Sequence, residues 1–178
     1  MKKYLIQFKP FLIFVGTFFL VYITLTLIYG FYLNTYQTND LDGITVVSGQ
    51  NAEQLMHFFN YDVVIQKNAL KPWLDVAFNG ENVIRIIEGC NAVSVMILFV
   101  AFVLAFSGKF KTTLLFILFG ILSIYILNVL RIILLTVLLY HYPNQTHLLH
   151  GVLFPLIIYG YVFILWIIWI NRFSKYAK

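Results

Sequence analysis

Cys90 is the single cysteine of the chain, and its thiol is the strongest nucleophile the sequence offers. The usual base for such a thiol is an imidazole. His147 and His150 stand at a spacing that puts both on one face of a helix, and an imidazole at a helix N-terminus tends to stay neutral, as a general base must. Arg131 interrupts a long apolar run, with Asn128 one helical turn before it. A fixed cation in a dry setting stabilises an oxyanion. A thiol nucleophile, an imidazole base and a cationic oxyanion stabiliser are the parts acyl transfer requires. Each part also has a plainer reading: Cys90 as an inert buried thiol, Arg131 and Asn128 as polar ties between helices or an arginine snorkelling to the surface, and the histidines as interfacial groups bonded to headgroups or backbone. His57 and His141 have weaker claims. Metal binding fits poorly, because one cysteine and two histidines lack an obvious fourth ligand, and no cofactor is expected.

These residues must be positioned by elements that live in lipid. The chain of 178 residues is 61% hydrophobic and 11% charged, against roughly a quarter charged in a soluble domain. A helix needs about 20 apolar residues to cross about 30 Å of hydrocarbon. Four segments meet that need: Phe11 to Leu33, Gly89 to Gly108, Thr112 through Arg131 to about Tyr140, and about Leu148 to Ile170. The first is too long for a signal-peptide core and lacks a small-residue cleavage site, so it is expected to stay in the mature protein. Lys2, Lys3 and Lys9, then Lys109 and Lys111, then Arg172, Lys175 and Lys178 flank the spans alternately. By the positive-inside rule both termini are cytoplasmic and the segments 34–88 and 141–147 face outward. The formal charge of +5 is thus a topology signal and calls for no nucleic-acid partner. Tyr22, Tyr29, Tyr32, Trp166 and Trp169, near span ends, read as interfacial anchors.

Residues 34–88 hold all seven acids and are too many for a bare connector. The start signal at Ser48 to Glu53 predicts a short amphipathic helix near 50–60. Two β-prone runs, Trp73 to Phe78 and Asn82 to Ile87, flank Asn79-Gly80 and predict a hairpin leading directly into span two. The expected architecture is an all-α membrane protein: a four-helix transmembrane bundle with a small α+β exoplasmic cap between spans one and two. Residues 1–33 form the cytoplasmic N-terminus and first span, 34–88 the cap, and 89–178 the core with a cytoplasmic C-terminus.

This topology brings Cys90, Arg131 and the His147/His150 pair to the outer ends of spans two, three and four. Counting about 18 residues from Thr113, or about 27 Å of helix, puts Arg131 near the outer edge of the hydrocarbon. A span three that continues to Tyr140 would project beyond the bilayer. At the start of span two, a helix dipole and a nearby guanidinium would favour the thiolate.

The runs EGCNAVS at 88–94, NVLRIILL at 128–135 and HLLHG at 147–151 resemble the signature blocks of the exosortase/archaeosortase family. The likeness covers spans two to four and resembles the compact, exosortase-like proteins of Bacteroidetes. Members are considered cysteine transpeptidases that cleave C-terminal sorting signals made of a short motif, a hydrophobic helix and a basic tail. The resemblance implies that Cys90 is the nucleophile, Arg131 the catalytic arginine and His147 the histidine four residues before a glycine, here Gly151. His150, directly before Gly151 on the same face, is the alternative base. Asn128, Glu88 and Gly151 are expected to support the site. The implied partners are the lipid bilayer and an exported protein substrate with a C-terminal hydrophobic sorting helix, at a bacterial cytoplasmic membrane with the site facing outward. The acceptor is either water or a second nucleophile. A different class of function also fits the residues: a non-catalytic membrane scaffold whose cap recruits a cell-envelope partner.

Overall fold

The computed structural model describes residues 2–36, 40–106 and 108–174. Helix α1 (Lys2–Leu33) leads to the cap, which opens with α2 (Gly43–Phe58). The cap helix begins earlier than its Ser48 signal predicts, because Asp42 is the true N-cap: its carboxylate accepts from the Thr45 N–H at 2.9 Å. Ser48 is instead buried inside the helix, its hydroxyl donating to the Ile44 carbonyl.

Strands β1 (Val63–Lys67), β2 (Leu74–Phe78) and β3 (Glu81–Ile86) form an antiparallel sheet in the order β1-β2-β3. The hairpin forms where predicted, with Asn79 and Gly80 both at positive φ (50° and 81°), as a two-residue turn matched to strand twist requires. Strand β1 escaped the sequence reading. Val63-Val64-Ile65 is short, and its pairing partner lies beyond an irregular link. A bulge between Val76 and Ala77 of β2 gives β3 one extra residue, Val83.

The hairpin does not run straight into a spanning helix. Residues Glu88–Cys90 wind as a 3₁₀ turn, Ala92 takes a left-handed conformation (φ 62°), and only then does α3 (Val93–Ala105) start. At 13 residues, α3 is about 20 Å long, short of the about 30 Å of a hydrocarbon core. The predicted span Gly89 to Gly108 is therefore a shorter apolar helix. Among the described residues three stretches are long and apolar enough to cross a membrane: Phe8–Leu33, Phe110–His141 and Pro143–Phe173. Helix α4 is Phe110–His141. The last stretch comprises a 3₁₀ turn (Pro143–Gln145), α5 (Thr146–Leu148), a π-helical segment (Leu149–Leu153), α6 (Phe154–Ile168) and a second π-helical segment (Trp169–Phe173).

The two larger of three apolar clusters among the described residues divide the molecule. At the end away from the cap, Phe99, Phe116 and Trp169 pack with Val162 and Leu165. Gly120 permits this: a β-carbon there would stand 2.2 Å from the Phe99 ring. Trp169 is wholly buried and donates to the Phe106 carbonyl, so it is a core residue and no interfacial anchor. Helix α1 lies outside this core, touching α3 through Phe14 against Phe102 and Phe106 while its apolar window stays unburied.

At the other end α4 runs ten residues past Arg131, and the cap closes on that extension. Met56, Val63, Leu74, Val76, Phe78 and Ile86 share one cluster with Val129, Ile132 and Ile133, and Phe78 meets Tyr140 edge-to-face at 5.0 Å. The long α4 is thus explained by the surface it offers the cap, whose small sheet could not bury its apolar face alone.

Candidate active site

Cys90 ends the 3₁₀ turn, half-buried, between the sheet and α3. Its backbone is held at both ends. The Cys90 N–H donates to the Ile87 carbonyl at 2.8 Å, and the Cys90 carbonyl accepts from Asn128 Nδ2 at 2.7 Å. Asn128 is fully buried on α4, so this bond fixes the Cys90 turn to the helix that carries Arg131. Asn128 Oδ1 is buried and has no hydrogen-bond partner. An orphaned buried acceptor costs about 1–3 kcal/mol and is retained where packing or function compels it.

The next residue anchors the turn to everything else. Asn91, 2% exposed, accepts the N–H of Val93, the first residue of α3, on Oδ1 at 3.0 Å. The Val93 N–H of α3 is therefore used by Asn91, and Cys90 precedes the helix by three residues. Asn91 Nδ2 donates to the Tyr29 hydroxyl at 2.8 Å and to Thr45 Oγ1 at 3.1 Å. Tyr29 donates to Glu88 Oε1 at 2.7 Å, and Thr45 donates to Asp42 Oδ2 at 2.6 Å. This network joins α1, α2 and the cysteine turn, and gives Tyr29 a structural role. Sequence reasoning missed Asn91, Tyr29, Thr45 and Asp42. Only Asn91, beside the cysteine, offered a local signal.

A cavity of about 300 Å³ opens between β3 and the cap end of α4 and α5. Cys90, Arg131 and His150 line it, together with Arg85, Thr146, residues Val83, Ile84 and Ile86 of β3, and Ile132, Leu135 and Leu139 of α4. Two guanidinium-bearing residues line this space and no carboxylate does. Arg131, half-buried, also lines a smaller cavity of about 200 Å³ beside Gly89, Pro155 and Tyr159. Among the described residues Arg131 makes no hydrogen bond or ion pair, so the polar tie between helices that its position invited is not made. A guanidinium kept from an ion pair and facing cavities on both sides is available to a charge that arrives with a substrate.

The two histidines separate. His150 lies in the π-helical segment and lines the cavity with Cys90; His147, on the preceding turn, does not line it, and both residues are exposed. The regular 3.6-residue repeat predicted a shared face, but the wide π turn that follows His147 changes the phase. Glu88 is turned away from this cavity, into a groove of about 580 Å³ shared with Asp40, Asp42 and Trp73 on the other side of the turn. Gly151 is exposed, and nothing lies within 4 Å of where its β-carbon would be, so no steric need for glycine is visible. Among the described residues no cluster of three or more metal-ligating side chains occurs.

Three long apolar helices and a three-stranded cap define a polytopic membrane protein with a buried-edge cysteine site. The particular family follows from sequence comparison: residues 8–171 match the transmembrane exosortase (Exosortase_EpsH) family, and the chain belongs to it. No curated protein and no solved structure matches the chain.

Proposed function

We propose that the chain is a membrane cysteine transpeptidase that cleaves C-terminal sorting signals of exported proteins. The observation that carries this reading is the convergence of Cys90, Arg131 and His150 on one cavity from three separate parts of the sequence. In the proposed step His150 takes the thiol proton as Cys90 Sγ bonds to the substrate carbonyl carbon. Arg131 holds the oxyanion of the tetrahedral intermediate, replacing the hydration it loses in a partly dry site. The C–N bond then breaks, the imidazolium returns its proton to the leaving amine, and a thioester remains on Cys90. An acceptor nucleophile, water or an amine, attacks that thioester and releases the thiol.

The arrangement of Lys and Arg puts the termini in the cytoplasm and the cap outside, so the site meets its substrate at the outer interface of the cytoplasmic membrane. The test is Cys90→Ala in the native host. An exported protein ending in an apolar helix and a basic tail accumulates uncleaved in that strain. Normal processing of every such protein by the Cys90→Ala chain would end the covalent mechanism.

A further inference from the structure

The two edges of the cap sheet are treated differently. At the outer edge of β1, the Ile65 N–H is taken by Glu53 Oε1 of α2 at 2.7 Å, and Lys67 pairs with Asp40. That edge is closed, as sheet edges commonly are. The outer edge of β3 has no such cover: residues Glu81–Ile86 make no hydrogen bond outside the sheet among the described residues. Four consecutive β3 residues, Val83 to Ile86, line the cavity that holds Cys90. Successive side chains of a strand point to opposite faces, so a run of four lines one space most simply along the strand's edge.

The register says which backbone groups face that space. Phe78 and Glu81 close a two-residue turn, and such a pair exchanges both hydrogen bonds. Alternation along β2 then makes Val76 and Leu74 bonded to β3, and Ala77 and Asp75 bonded to β1. The outward Ile65 N–H, opposite Val76, has the phase this requires. Arg85, opposite Asp75, therefore turns its N–H and carbonyl away from β2 and toward the cavity edge. Cys90 follows Ile86 after only the short link through the 3₁₀ turn.

We infer that β3 binds the substrate by strand addition: the extended segment preceding the substrate's hydrophobic helix pairs with the outer edge of β3 at Arg85, which delivers its carbonyl to Cys90. This rests on the transpeptidase reading and names how that site takes its peptide. Main-chain hydrogen bonds supply register and affinity, and alternate substrate side chains meet the apolar wall of Ile132, Leu135 and Leu139. The free edge and the two cationic side chains suit a peptide whose carbonyl oxygens face the cavity.

The experiment uses the full chain and the exported protein that accumulates uncleaved in the Cys90→Ala host. In a Cys90→Ala, Arg85→Cys chain the only thiol sits on β3. Single cysteines are then scanned through the segment before the substrate's apolar helix, and disulfides are formed with copper phenanthroline in membranes. Strand addition gives cross-links at every second substrate position. A repeat of three to four positions, or no cross-link anywhere, overturns it. Separately, with Cys90 intact, Arg85→Pro lacks the N–H that Arg85→Ala keeps. Processing by the proline variant is about tenfold slower than by the alanine variant, the size of one lost hydrogen bond, while a rate of Cys90 labelling by a polar maleimide that is unchanged from the parent chain reports that both are folded. Equal rates in two folded variants overturn the inference. If no uncleaved protein accumulates with Cys90→Ala, the enzyme reading itself falls; accumulation without a two-residue repeat removes strand addition alone.

Discussion

The two ends of the helical bundle solve opposite problems. Away from the cap, Phe99 fills the space left by Gly120, Phe116 packs on Trp169 at 5.0 Å, and Trp166 stacks on Phe102 at 4.1 Å. The cap end keeps two cavities, an unpaired guanidinium, an orphaned amide oxygen and a left-handed alanine within a few residues of one thiol. The far end has an orphaned group of its own, the buried Trp166 Nε1, so the ends differ in the polar groups and open space gathered around the thiol. Imperfect packing is costly, and strain and unmet polar groups persist where surrounding structure over-determines them. Here the over-determination is visible as the hydrogen bonds of Asn128 and Asn91 to the cysteine turn and its neighbours.

That contrast makes predictions that separate stability from activity. The largest effect is Cys90→Ala, which removes processing entirely while leaving the protein's abundance in membranes unchanged; a parallel fall in abundance would blur the division between the two ends. His150→Ala lowers the processing rate by about 10²–10⁴-fold, the usual contribution of a general base, and His147→Ala lowers it far less. Rates measured side by side in membranes decide this, and a greater loss at His147 would transfer the base to the residue the family resemblance favours. Arg131→Gln costs about 10²–10³-fold in rate without loss of thermal stability, because no partner charge is left behind. Asn128→Ala costs stability by about 1–3 kcal/mol through the unpaired Cys90 carbonyl, and raises exposure of Cys90 to a polar thiol reagent. Gly120→Ala sits in the densely packed end and costs about 1–3 kcal/mol by overpacking against Phe99. Its rate per folded molecule is normal, as read from unfolding in detergent and processing normalised to folded protein.

Much of the architecture was legible because it is written in local patterns. Long apolar runs located four stretches, of which three are long and apolar enough to cross a membrane among the described residues, since burial in lipid depends on composition over about 20 residues. Asn79-Gly80 located the hairpin because few other residues tolerate two positive φ angles in succession. The length of α3 was not legible: Gly89 to Gly108 is uncharged throughout, but hydropathy does not register that Asn91 bonds elsewhere, that Ala92 breaks the helical phase, or that Phe106 leaves the helix. The start of α2 was misjudged because two capping signals compete, and Asp42 prevails through its second bond to the Thr45 hydroxyl.

The sequence by itself determined the class of protein, the order of cysteine, arginine and histidine along the chain, and the family to which it belongs. Tertiary structure decided which histidine shares a cavity with Cys90, that Arg131 is left without an ion pair, that Asn128 grips the Cys90 carbonyl, and that one edge of the cap sheet opens beside the thiol. The physical reason is distance along the chain. Hydropathy and turn chemistry act over a few residues, whereas Asn128 reaches Cys90 across a separation of 38 residues and Asn91 reaches Tyr29 across 62. Such contacts exist only once packing has brought α4, α1 and the cap around the same turn.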